Sequence, residues 1–169
     1  LIVGLKTKTG GEKAFQDIPV HWEKFFSEKI IDTIPNKISK DIYGIYTDFE
    51  NEGENNKGSY SFVIGVEVSD FDNISEGLEK IIIPESEYQV FPAGNKPEQI
   101  GEKWREIWEY DFKKQKTYFL EYEKYYESLF SFSIANPLAA QAPAPAVYAE
   151  PAVIKRFPLS VEALGNAIA

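Results

Sequence analysis

An aromatic stretch near the start of the chain, His21-Trp22-Glu23-Lys24-Phe25-Phe26, is echoed later by Lys103-Trp104-Arg105-Glu106-Ile107-Trp108. Each stretch lies within apolar residues at helical spacing: Trp22, Phe25, Phe26, Ile30 and Ile34 in the first, Ile100, Trp104, Ile107 and Trp108 in the second. Asp17 reads as a helix cap, Pro35 falls past the first helix, and Pro97 opens the second. Strand-like runs flank both helices. Leu1 to Thr9 precedes the first, and Ile42 to Thr47 and Ser59 to Val68 follow it, joined by the polar turn Asp48 to Gly58. Leu78 to Phe91, broken at Pro84, precedes the second, and Tyr118 to Tyr126 follows it. The order β-α-β-β therefore occurs twice, over about residues 1–70 and 78–130. Such a tandem predicts an α+β fold: two helices on a curved antiparallel sheet, with a groove between the halves.

The second unit lacks an obvious closing strand. Composition shifts near residue 131, where alanine and proline crowd into Ala135-Asn136-Pro137-Leu138-Ala139-Ala140-Gln141-Ala142-Pro143-Ala144-Pro145. The expected organisation is a domain over 1–130 and an Ala/Pro-rich linker and C-terminal tail over 131–169. That tail is a candidate source of the missing strand. Ala146 to Lys155 has strand character, although Pro151 suits it only to an edge, and Ser131 to Ile134 competes with it. Pro158 to Ala169 reads as a short helix with Leu159, Leu164 and Ile168 on one side, or as a frayed tail.

Chemistry concentrates at Glu121-Tyr122-Glu123-Lys124-Tyr125. Side chains alternate along a strand, so Glu121, Glu123 and Tyr125 share one face, while Tyr118, Leu120 and Tyr122 share the other, which reads as core. A carboxylate framed by tyrosine rings in a concave site is suited to a cation, because the rings attract positive charge and the carboxylate neutralises it. The plainer alternative is an exposed strand face decorated with acids.

Charge and composition narrow the function classes. The 169 residues carry a formal charge of -9 with pI near 4.7, which disfavours a phosphate-tracking surface. The chain opens on a strand and shows no helix-turn-helix segment, so direct nucleic-acid binding is not expected. Without cysteine there is neither a disulfide framework nor a thiolate metal site. The lone His21 reads as an ordinary helix-start residue and makes a histidine metal cluster or a Ser-His triad implausible. No metal or cofactor is expected. No apolar run approaches the roughly 20 residues of a membrane span and no signal peptide is visible, so the expectation is a cytoplasmic protein.

A series of segments resembles the bacterial effector-binding domain of AraC-type and MerR-type regulators and gyrase-inhibitor-like (GyrI-like) proteins. They are Ile42-Tyr43-Gly44-Ile45-Tyr46, Tyr60 to Val68, Ile83-Pro84 through Phe91, Trp104 to Trp108, and Glu121 to Tyr125. They follow the family's order over roughly residues 1–126. The resemblance implies tandem β-α-β-β repeats with pseudo-twofold symmetry and a ligand cleft between the halves for cationic, lipophilic or aromatic small molecules. It also implies that Glu123 neutralises the ligand, since Tyr122-Glu123-Lys124-Tyr125 matches the family's Phe-Glu-x-Tyr with Tyr for Phe. Tyr125 would flank the glutamate, and Glu121 could share the pocket. Trp104 and Trp108 read first as packing residues and second as pocket walls, and Tyr46 and Tyr88 as pocket lining. The implied function is a small-molecule effector-binding module without catalysis, either a stand-alone sensor or the ligand-binding part of a transcriptional regulator. Two other readings are a hydrolase of electrophilic xenobiotics using Glu123, and a gyrase-inhibitor-like protein whose acidic surface engages a basic protein partner.

Overall fold

The computed structural model describes residues 1–88, 90, 91, 93, 97–109, 116–127, 155–156 and 165–168. Its strands are β1 (Ile2–Gly10), β2 (Lys37–Thr47), β3 (Ser59–Val68), β4 (Glu79–Ile81), β5 (Glu87–Tyr88), β6 (Lys116–Tyr125), β7 (Lys155–Arg156) and β8 (Gly165–Ile168). Its helices are α1 (Ala14–Ser27), α2 (Ile30–Thr33) and α3 (Pro97–Glu109). The strands form one sheet in the order β4-β1-β3-β2-β6-β8-β5-β7. Neighbouring pairs such as β1 with β3, β2 with β3, β2 with β6 and β6 with β8 run antiparallel. The architecture is α+β, as the periodicities require.

Strand order exposes the symmetry. Reading outward from the central β2–β6 pair, one side runs β2, β3, β1 and the other runs β6, β8, β5. In both halves the strand that follows the helix is innermost, a strand later in the chain is second (β3 in one half, β8 in the other) and the strand before the helix is third. A local twofold axis therefore passes through the β2–β6 pair. Gly44 faces Glu123 in that register, with Tyr43 opposite Lys124 and Ile45 opposite Tyr122. Rotation about the Gly44–Glu123 pair carries Tyr43-Gly44-Ile45-Tyr46 onto Tyr122-Glu123-Lys124-Tyr125.

The sheet buries apolar residues on both faces, which explains why β3 reads as a continuous Phe62-Val63-Ile64 run rather than a strict alternation. On the helix side, Phe25 of α1 and Trp104 and Ile107 of α3 pack with Phe62, Ile64, Val66 and Tyr125. On the opposite side, Tyr43, Ile45, Val63, Tyr88, Leu120 and Tyr122 form a second cluster. Leu120 and Tyr122 thus lie where alternation puts them. Tyr118 adopts a left-handed φ of 51°, and β6 is irregular against β8 between Lys116 and Glu121, so strict alternation stops upstream of Leu120.

Several local expectations are corrected. The first helical stripe is two helices, because Lys29 turns left-handed with φ 52° after α1 ends, and Ile34 is already extended. Asp17 does not cap: a 3-10 turn over Gly11–Lys13 leads into α1, and the Asp17 carboxylate accepts the Thr9 hydroxyl at 2.7 Å. His21 sits in the middle of α1 rather than at its start. It is buried, and its Nε2 lies 2.8 Å from the Leu5 carbonyl oxygen, tying α1 to β1. The strand beside β6 is Gly165–Ile168, from the segment read as a short helix or frayed tail. Of the two closing-strand candidates, Ser131 to Ile134 and Ala146 to Ile154 lie outside the described residues, and Lys155 belongs to β7, which pairs with β5.

Candidate ligand site

The helix-side face of the β2–β6 pair is where the two halves meet. Backbone alternation places Gly44 and Tyr46 of β2, and Glu121, Glu123 and Tyr125 of β6, on this face. Because position 44 is glycine, the space on its side of the axis is open to the carboxylate of Glu123. A Cβ there would stand 3.2 Å from Glu123 Oε2 and 3.3 Å from the Phe62 ring. Two glutamates at these equivalent positions would force like charges together on the axis. One Gly and one Glu give a single central acid.

That acid is 2 % exposed and wrapped in aromatic donors. The Tyr46 hydroxyl donates to Oε1 at 3.0 Å, the Trp104 indole N–H donates to the same oxygen, and the Tyr125 hydroxyl donates to Oε2. The rings around it repeat the symmetry. Trp22 of α1 meets Tyr125 edge-on with centroids 5.1 Å apart and planes at 80°, and Trp104 of α3 meets Tyr46 at 5.3 Å and 71°. Each helix therefore lays its tryptophan against the tyrosine of the other half. Phe62 lies under the group, its ring 4.8 Å from Tyr46 and 6.3 Å from Trp22. Trp104, Tyr125 and Phe62 are buried, whereas Trp22, Tyr46 and Tyr60 are half-buried, so the latter rings mark the side nearest solvent.

Burial dominates the electrostatics. It raises the Glu123 carboxyl above the ordinary glutamate range, and the hydroxyls of Tyr125 and Tyr46 and the indole of Trp104 pull back only part of that rise. Burial, reinforced by the neighbouring Glu123 charge, holds Tyr46 and Tyr125 far above the usual phenol range. Tyr60 is pushed up to about 12, by burial first and then by Glu121 and Glu123. The phenols therefore stay protonated as donors at any neutral pH. A cation beside Glu123 would relieve the burial penalty of the carboxylate and meet the electron-rich ring faces.

Of the residues singled out in the sequence, Glu123, Tyr125, Trp104 and Tyr46 come together. Glu121 lies on the same strand face, buried, opposite Tyr46 in the register and beside Asn166 of β8. Tyr88 is on the other side of the sheet. Its ring packs against Tyr122 at 5.5 Å and its hydroxyl donates to the Pro84 carbonyl at 2.9 Å, so it does not meet Glu123. Trp108 belongs to α3, and its side chain lies outside the described residues. Sequence reasoning did not assign Gly44, Phe62 or Trp22 to the site. The echo between Tyr43-Gly44-Ile45-Tyr46 and Tyr122-Glu123-Lys124-Tyr125 is the signal that finds Gly44. Among the described residues there is no group of three or more His, Cys, Asp or Glu able to hold a metal, and no helix long and apolar enough to cross a membrane.

Comparison with known proteins adds family and fold. A family model described as integron-associated effector binding protein matches residues 2–132. Over 112 residues the chain is 30 % identical to "Putative transcriptional regulator protein YobU" of Bacillus subtilis (strain 168), covering 64 % of this chain and 68 % of that protein. In three dimensions it is similar to an integron cassette protein from the mobile metagenome of Vibrio cholerae, with a TM-score of 0.57 at 19 % identity over 88 % of this chain and 89 % of the other. It is also similar to SAV2435, solved bound to tetraphenylphosphonium, with a TM-score of 0.62 at 19 % identity over 88 % and 86 %. The fold is shared with both, and the resemblance to effector-binding domains read from the segments around Tyr46 and Glu123 holds. With the family model spanning both halves of the central β2–β6 pair, the chain belongs to the integron-associated effector binding protein family.

Proposed function

We propose that the chain binds small organic cations at the centre of its two halves, acting as a stand-alone sensor or as the ligand-reading part of a transcriptional regulator. Glu123 supplies the neutralising charge, and Tyr46, Tyr125, Trp104 and Trp22 supply the aromatic walls. The observation that carries this reading is a single carboxylate, 2 % exposed, at the local twofold axis and held by three aromatic side-chain donors. A carboxylate so placed is costly to ionise in the empty protein, and a bound cation offsets that cost where a neutral ligand does not. Ligand binding in the neighbour SAV2435, solved with a lipophilic cation, supports the same chemistry.

Ligand-dependent stabilisation tests the reading. A ligand that binds only the folded state raises its stability by RT ln(1 + [L]/Kd), about 2.7 kcal/mol at a hundredfold excess over Kd. Tetraphenylphosphonium should raise the melting temperature in a dose-dependent way, and triphenylphosphine oxide, a neutral aromatic of similar bulk, should raise it far less. Equal shifts from both would remove charge from the account.

A further inference from the structure

We infer that the Glu123 site selects cations that carry no N–H donors, namely quaternary ammonium, phosphonium and charge-delocalised aromatic ions, over primary ammonium and guanidinium ions. This rests on the cation-binding reading and concerns which cations are taken.

The argument is a count of acceptors. A carboxylate offers about four lone-pair positions. At Glu123 three are used by the protein: Tyr46 and Trp104 on Oε1 and Tyr125 on Oε2. The indole of Trp104 can only donate, and the two phenols turn their protons to the carboxylate, leaving neutral oxygens that accept weakly. Among the described residues, the rings of Phe62, Trp22 and Tyr60 also stand about the group, and they attract positive charge through their faces without needing an N–H. Glu121, the next acid on this face, lies two residues along β6, opposite Tyr46 and not opposite the open position at Gly44. A primary ammonium brings three donors and a guanidinium five, and buried donors left unmade are costly. A quaternary cation brings none. It gains the same charge neutralisation and ring contacts and leaves no donor unpaired.

A matched pair of probes tests this by calorimetric titration at pH 7: (1-naphthylmethyl)trimethylammonium and 1-naphthylmethylammonium, which share charge and ring. The quaternary ion should bind at least tenfold more tightly. Tyr46→Phe removes one donor from Oε1 and frees that lone pair, so the preference should narrow severalfold as the primary ion gains. Trp104→Phe frees the same oxygen and should act in the same direction, with thermal melts reporting that each variant is folded. Equal or tighter binding of the primary ion overturns the selectivity while leaving cation binding intact. A preference unchanged in both variants assigns selectivity to ligand dehydration and overturns the acceptor argument. Binding of neither probe removes this inference together with the cation reading.

Discussion

Gly44 and Glu123 face each other across the two central strands and hold equivalent places in the two halves, so a local twofold passes between a residue with no side chain and a buried acid. Substitution at Gly44 therefore acts directly on the carboxylate. In Gly44→Ala the new methyl meets Glu123 Oε2 at 3.2 Å and Phe62 at 3.3 Å, tight enough that both must shift by a few tenths of an ångström. The fold should survive, with a stability loss of about 1–3 kcal/mol, while affinity for a cationic probe falls several-fold. Gly44→Glu should be far worse, because like charges meet on the axis. Urea unfolding and probe titration of both variants check this.

Trp104 and Trp22 are symmetry mates with unequal burial. Trp104 is 7 % exposed and donates to Glu123, so Trp104→Ala should cost about 3–5 kcal/mol. Trp22 is half-buried, and Trp22→Ala should cost roughly half as much. Equal losses in denaturant unfolding would contradict the assignment of Trp104 as the wall that also holds the acid.

Two buried groups give stability opposite pH slopes. Glu123 has a folded pKa raised above its ordinary 4.5, so the folded state holds its proton more tightly than the unfolded chain does. The associated stability is fully present below pH 4.5 and is lost as pH rises through the folded value. His21 has a folded pKa lowered from 6.5 by burial, so its contribution is present above pH 6.5 and is lost as pH falls through the folded value. Subtracting the urea-derived stability profile of Glu123→Gln from that of the parent should leave a curve that falls with rising pH above 4.5. A flat difference would place the carboxyl in solvent.

The sheet continues past β6 into β8, where Asn166 pairs with Glu121 and Gly165 with Tyr122. A chain ended at Asn136 loses β7 and β8 and leaves that edge of β6 without its described partner. It should fold through the β1–β3 half with reduced stability and faster hydrogen exchange along Glu121 to Tyr125. Unchanged exchange at those amides would show that β8 contributes nothing to the site.

The central part of this fold was legible because its signals are local. Trp22 and Trp104 mark helices by spacing, and the alternation of Glu121, Glu123 and Tyr125 fixes which face of β6 meets them. Glu123 and Tyr125 stood out further through the resemblance. The echo of Tyr43-Gly44-Ile45-Tyr46 in Tyr122-Glu123-Lys124-Tyr125 locates Gly44, but its role is empty space, which the pairing with Glu123 reveals. Tyr88 looked like its fellow tyrosines, but a two-residue strand carries too little pattern to say which face of a sheet it joins. The strand Gly165–Ile168 was read as helix or fray because Gly, Asn and Ala lack strand propensity. Its conformation is set by the edge of β6 it pairs with, a long-range effect invisible to local pattern.

The central claim is that Glu123 selects charge. Calorimetric titration of tetraphenylphosphonium and of triphenylphosphine oxide into the parent protein and Glu123→Gln measures it directly, with Glu121→Gln as the control on the same strand face. Gln keeps the shape and removes the charge, so the cation should weaken by about 1–3 kcal/mol, roughly 5- to 150-fold, while the neutral probe changes little. Equal weakening of both probes, or no weakening of the cation, would contradict the claim.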